Sequence, residues 1–303
     1  LIDRKALEDA LATDIGDDID DTWALGLLLQ SPELDLKLVV SDYGKPQYRA
    51  KVFAKFLQAA GRTDVPVGLG VPQNPNATGP QAAWVKDYDL ASYPGKVHKD
   101  GVQALIDAIM NSKEPVTLIA VGPLPNIAAA LQREPRIAER ARFVGMHGSV
   151  RLGYGGSKEI APEWNVKADP QACQKAFTAP WDITITPLDT CGLVQLDGDR
   201  YRRLRESEDP IAQAILENYR LWSTASEANN QAAQTHSSTL FDTVAVYLAF
   251  RQDLCRMERL NIRVDDQGFT RIDEKGKPMN VATSWKSLDG FRDFLVQRLT
   301  GTL

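Results

Sequence analysis

Thr13-Asp14-Ile15-Gly16-Asp17-Asp18-Ile19-Asp20-Asp21, running straight into Thr22-Trp23-Ala24-Leu25-Gly26-Leu27-Leu28-Leu29, is the stretch on which the reading of this chain turns. Five carboxylates fall within eight residues there, broken only by Ile15, Gly16 and Ile19. Like charges at such density repel, so a folded chain keeps them on a solvated surface or gathers them around a cation. Ala10-Leu11-Ala12 leads in and an apolar run leads out. The acidic turn is therefore gripped between buried elements. A charged turn joining a strand to a helix inside an α/β core is a common ligand site.

Outward from that turn, apolar periodicity predicts a helix from Asp20 to Gln30, stopped by Pro32, and a strand over Leu34–Ser41. A helix opened by Pro46 and closed by Gly61 follows, with Val52, Phe53, Phe56 and Leu57 on one face. Val65–Gly70 reads as a short buried strand. Val71–Val97 reads as a long loop carrying Trp84, Tyr88 and Tyr93, and a loop of that length is usually functional or disordered. Strand-like runs recur at Val116–Val121, Phe143–Met146 and Ile183–Thr186, with helices between them, and Gly198–Phe250 reads as mostly helical. Leu260–Ser284 looks like short antiparallel strands before a last helix near Phe291–Leu299. The lead-in Lys5–Ala12 has helical spacing, which predicts a short first strand. The pattern is that of an α/β fold: a single domain across residues 1–303, with a mainly parallel, Rossmann-like central sheet flanked by helices and a small antiparallel extension near the C-terminus.

Composition narrows the function classes. The 303 residues carry a net charge of −5, so there is no basic footprint for nucleic acid or acidic lipid. No uncharged run is long enough to cross a bilayer. Leu1–Glu8 carry both charge signs, unlike a signal peptide, and the expected compartment is the cytoplasm or, had a leader been removed, the periplasm. Cys173, Cys191 and Cys255 lack CxxC spacing and read as isolated buried thiols.

In a parallel sheet the loops leaving the strands' carboxyl ends converge on one edge. Four such exits are chemically unusual: the acidic turn, Val121-Gly122, Glu163-Trp164-Asn165, and Asp242 preceded by Phe241. Asp242 suits either a helix N-cap or a cation ligand. With the other aspartates it supplies the oxygen-only donors that calcium takes. An EF-hand is excluded: counted from Asp14 or from Asp17, the sixth position is not glycine and the twelfth is not glutamate.

Asp14-Ile15-Gly16…Asp20-Asp21, Val121-Gly122-Pro123-Leu124-Pro125-Asn126, Glu163-Trp164-Asn165-Val166…Asp169-Pro170 and Phe241-Asp242 resemble, in order and spacing, the inosine-uridine preferring nucleoside hydrolases. The resemblance spans about Asp14 to Phe250. It implies a Ca2+ ion held by Asp14, Asp21, the main-chain carbonyl of Val121, and Asp242. It also implies hydrolysis of the N-glycosidic bond of a small-molecule ribonucleoside to ribose and free base. In that family a water activated by the metal attacks the anomeric carbon, and the aspartate matching Asp14 takes its proton. The ribose ring then passes through an oxocarbenium-like state. By the same resemblance Asp20, Glu163 and Asn165 hold the ribose hydroxyls, Met146 packs beside the sugar, and the protein assembles as a homodimer or homotetramer. Asn126 is either a site residue or an ordinary helix-start residue.

This chain departs from the family pattern at several places. Ala12 stands where a further aspartate is usual, and Asp17 and Asp18 lengthen the acidic turn, so that Asp18 competes with Asp20 for one role. Phe241 replaces a histidine that serves the leaving base; a phenyl ring stacks but donates no proton. His236 and His147 are alternatives as donors, and Trp84 and Trp222 as base-stacking rings, each against an ordinary structural role. The asparagine that often follows the second strand's glycine is not evident near Tyr43-Gly44-Lys45. These departures keep a second expectation open, a catalytically weakened nucleoside- or ribose-binding family member. A magnesium-dependent phosphotransferase lacks its phosphate-cradling glycine loop here.

Overall fold

The computed structural model describes residues 6–74 and 76–302. Residues 1–5, on which most of the compartment expectation rests, lie outside the described residues. Among the described residues ten strands form one sheet: β1 Leu7–Thr13, β2 Leu34–Ser41, β3 Val67–Gly68, β4 Val97–His98, β5 Val116–Ala120, β6 Ala141–Met146, β7 Ile183–Thr186, β8 Cys255–Val264, β9 Thr270–Ile272 and β10 Lys277–Trp285, in the order β4-β3-β2-β1-β5-β6-β7-β10-β8-β9. Every pairing from β4 through β7 to β10 is parallel, while β10–β8 and β8–β9 are antiparallel. The C-terminal strands thus lengthen the main sheet, because β10 joins β7 in parallel before the chain turns back.

Residue alternation along the strands sorts two apolar layers. Leu11, Val39, Ile119 and Val144 point to one face, and Ala10, Ala12, Leu38, Val40, Leu118 and Phe143 to the other. Both faces are covered, as a parallel sheet requires. On the first face lies the helix Asp20–Leu29, buried from Asp20 to Leu28. A helix apolar all round belongs in a core. It packs beneath the helices Pro210–Ser223 and Phe241–Leu248. A Cβ on Gly26 would stand 2.6 Å from Ile215 Cδ1, so glycine permits that approach.

The expectation of a short first strand is wrong. β1 spans Leu7–Thr13, with Ala10–Thr13 buried between β2 and β5. Pairing on both edges overrides the helical spacing of its sequence. The strand order reverses beside β1, since β2 lies on one side and β5 on the other. Ala12 is level with Val40 and with Ala120, so the chain leaves three neighbouring strands at one height. That crevice is where open α/β sheets bind ligands. Among the described residues no helix is long and apolar enough to cross a membrane.

Candidate active site

A cavity of about 440 Å³ opens at this crevice. Its floor is made of carboxylates: Asp14 leaves β1, Asp20 and Asp21 open the next helix, and Asp242 sits in the first turn of Phe241–Leu248. They are 7, 3, 2 and 3 % exposed in that order. Asp20, Asp21 and Asp242 each bring an oxygen within 4.8 Å of the others. The Asp242 backbone N–H donates to Asp20 Oδ2 at 3.1 Å, and the Thr13 hydroxyl donates to Asp21 Oδ1. Among the described residues none of the four forms an ion pair.

Burial first, and repulsion from neighbouring aspartates including Asp14 and Asp18 second, hold Asp20, Asp21 and Asp242 well above the usual carboxylate range. Asp14 is pushed up to about 6 by burial, against the pull of the Arg49 guanidinium. Its carboxylate lies against Gly122, where a Cβ would come within 2.6 Å of Oδ1; only glycine leaves that space. Val121, directly before it, lines the same cavity. Buried carboxylates without a cation of their own, next to a main-chain carbonyl, are a donor set that fits a divalent metal ion.

The second wall comes from the segment after β6. Glu163 caps the short helix Trp164–Lys167, its two oxygens accepting from the N–H groups of Asn165 (2.8 Å) and Gly148 (2.9 Å). Burial raises its pKa to about 7 although those donors favour the charged form. The Asn165 amide donates to the carbonyls of Val121 (3.1 Å) and Met146 (3.0 Å), tying β5 to β6 at the cavity. Met146 lines the same wall.

The sequence model of the inosine-uridine preferring nucleoside hydrolase family matches residues 10–291. The chain belongs to that family. It is similar to the pyrimidine-specific ribonucleoside hydrolase RihA of Enterobacter sp. (strain 638), 28 % identical over 308 aligned positions covering 92 % of this chain and 94 % of that one. The non-specific ribonucleoside hydrolase RihC of Klebsiella pneumoniae is 29 % identical over 296, covering 92 % of each. Among solved structures, the plant nucleoside hydrolase PpNRh1 superposes with a TM-score of 0.82 at 21 % identity, covering 98 % of this chain and 99 % of that one. Its likeness bears on the fold. As a nucleoside hydrolase the protein is an enzyme of N-glycosidic bond hydrolysis.

Of the residues singled out in its sequence, this nucleoside hydrolase brings Asp14, Asp20, Asp21, Val121, Met146, Glu163, Asn165, Phe241 and Asp242 to one cavity. Asn126 and Trp84 lie elsewhere. Asn126 is fully buried at the start of the helix Pro125–Arg133; its amide donates to Ser41 O (2.8 Å) and its oxygen accepts from Val71 N (2.8 Å). It bolts the end of β2 to the following loop. Trp84 turns inward, donating from Nε1 to Glu217 (2.9 Å) with its ring edge-on to Phe56 and Lys55 over its face. Tyr88 and Tyr93 are likewise spent on Gln58 and on the Val65 carbonyl, so the long loop packs its aromatics against the fold and sends none to the cavity.

Asp18 stays at the exposed rim, accepting from its neighbour Ile19 N, while Asp20 takes the floor. Neither His147 nor His236 lines the cavity. His147 is buried with Nε2 at 3.1 Å from Gly122 O, and burial lowers its pKa to about 3. Trp222 does line it, its indole N–H donating to Asp17 O at 3.0 Å.

The sequence reading missed the anchor of the rim, Arg49. This fully buried guanidinium donates to Ile15 O (2.8 Å), to the Asp14 carbonyl, to Tyr43 O (2.8 Å) and to Asp17 Oδ2 (2.9 Å). One side chain thereby fastens the acidic turn to the loop after β2. A lone arginine one turn before Val52 and Phe53, on the apolar side of its helix, was the available signal. Tyr154 and Trp164, partly exposed at the mouth, complete the rim; the Tyr154 hydroxyl accepts from Trp164 N, and its ring meets Phe241 edge-on at 6.3 Å.

Proposed function

We propose that this enzyme is a calcium-dependent hydrolase of ribonucleosides, releasing ribose and the free base. The supporting observation is the buried carboxylate floor that has no cation of its own beside a nucleoside-sized cavity. Asp14, Asp21, Asp242 and the Val121 carbonyl would hold the ion; an oxygen-only set favours calcium over softer metals. When bound, a divalent cation supplies Lewis-acid activation of water at neutral pH.

The chain's own groups do the rest. Asp14 accepts the proton of the attacking water at its carboxylate. Asp20, Glu163 and Asn165 orient the ribose hydroxyls, and Met146 closes against the sugar. As the C1′–N bond lengthens, positive charge builds on the ribose ring, and the carboxylates around it stabilise that charge. Ribose release from inosine, uridine and p-nitrophenyl riboside, with and without EGTA, tests the reading. Cation-independent turnover would remove calcium from it, and no turnover of any of the three would remove the activity.

Phe241 at the cavity, with no histidine lining it, favours one second reading: a family member that binds nucleosides and turns them over poorly. Cleavage of the activated p-nitrophenyl riboside alone would mark that case.

A further inference from the structure

We infer that Lys45 is the residue that stabilises the departing base. The inference rests on the hydrolase reading above. With a sugar on the carboxylate floor, a base must lie among the rim groups, and of the cavity-lining residues Lys45 alone carries a positive charge. Its position is built, not incidental. Tyr43 (φ 47°) and Gly44 (φ 92°) take the chain through the left-handed region directly after β2, and Tyr43 is the only described non-glycine residue there. Such strain persists where surrounding contacts over-determine it. Those contacts come from Arg49, which grips Tyr43 O through Nε (3.2 Å) and a terminal nitrogen (2.8 Å).

Asp17 completes the arrangement. Lys45 Nζ stands 2.5 Å from Asp17 Oδ1, while Arg49 holds Asp17 Oδ2 and Trp222 holds the Asp17 carbonyl. The ammonium is thus anchored by one of its donors, leaving others for a ligand. Fixed charge aimed at where charge develops is the most effective form of electrostatic catalysis. In the reaction the C1′–N bond breaks and its electron pair leaves with the base, which departs as an anion hydrogen-bonded to the Lys45 ammonium. The water oxygen bonds to C1′ and its proton passes to Asp14, then to solvent. The base takes a proton from water on release. Lys45 keeps its proton throughout.

The test compares leaving groups in the cation-loaded enzyme. Lys45→Met should lower kcat/KM on inosine and on uridine by roughly 100-fold, the cost of losing one preorganised donor. On p-nitrophenyl riboside, whose leaving group needs little help, the loss should stay within about threefold. Lys45→Arg should restore most of the loss on the natural substrates, and the thermal midpoints of both variants should match the parent. An equal loss on all three substrates would place Lys45 on the sugar or in a structural role and overturn the inference, as would undiminished cleavage of inosine and uridine. Parent enzyme inactive on all three would overturn the hydrolase reading itself, and this inference with it.

Discussion

Asp17 and Asp21 stand four residues apart in one acidic turn, yet their surroundings are opposite. Asp17, at the rim, is partly exposed and is neutralised by Lys45 at 2.5 Å and Arg49 at 2.9 Å. Asp21, on the floor, is buried against Asp20 and Asp242 with only the Thr13 hydroxyl as a side-chain donor. At the rim the fold supplies its own cations. At the floor no described residue forms an ion pair, and the carboxylates could take up protons or a metal ion. Half the turn is thus scaffold and half is a candidate metal site.

The comparison breaks most sharply at Asp14. Asp14→Asn should lower kcat about 10³-fold while leaving far-ultraviolet circular dichroism unchanged, because the proton acceptor and one charged ligand of the ion are lost and the backbone is not disturbed. Near-normal turnover in that variant would reject Asp14 as the base. Next in size is the anchor of the rim. Arg49→Met leaves buried carbonyls without their donor and Asp17 with Lys45 alone, and urea unfolding should show a loss of about 3–5 kcal/mol. A loss below about 1 kcal/mol would mean the turn holds itself without the guanidinium.

Removal of the cation addresses the floor alone. EGTA should lower the thermal midpoint, a ligand at about 100 times its Kd being worth about 2.7 kcal/mol, and Asp21→Asn should make that midpoint insensitive to chelator. A chelator effect that survives in the variant would move the ion elsewhere.

A pH effect separates the floor from its backing. Asp42, following β2, is buried with one oxygen taken by Tyr43 N, and burial lifts its pKa to about 8. The unfolded chain loses that proton near pH 4, the folded chain only near 8. Between those values the native state binds more protons, so stability falls as pH rises. Asp42→Asn should flatten that decline by up to about 1.4 kcal/mol per pH unit. An unchanged slope would assign the proton to another group. The smallest effect belongs to Trp84: Trp84→Phe should alter kcat/KM by less than about twofold, since the ring faces Glu217 and Phe56. A larger change would return the long loop to the substrate.

Much of the candidate site was legible as a string of residue types. Asp14, Asp20, Asp21, Glu163 and Asp242 announce themselves because buried carboxylates at strand exits have few structural uses, and Asn165 follows from its place beside Glu163. Trp84 and Asn126 stayed open between a site and a structural role for the converse reason. An indole or an amide satisfies a core as readily as a ligand, and only the direction of the side chain decides.

What the amino-acid order determined by itself is local: the strand–helix alternation, the acidic turn between buried elements, and the set of oxygens available to a cation. The tertiary structure decided which of those acids met a cation within the chain. Arg49 reaches Asp17, and Lys45 is lifted over the cavity, through contacts between segments some thirty residues apart in sequence. The full length of β1 was decided the same way, by neighbours on both edges. Charge pairing and strand pairing depend on distance in space, and distance along a chain does not encode it until the sheet has closed around the turn.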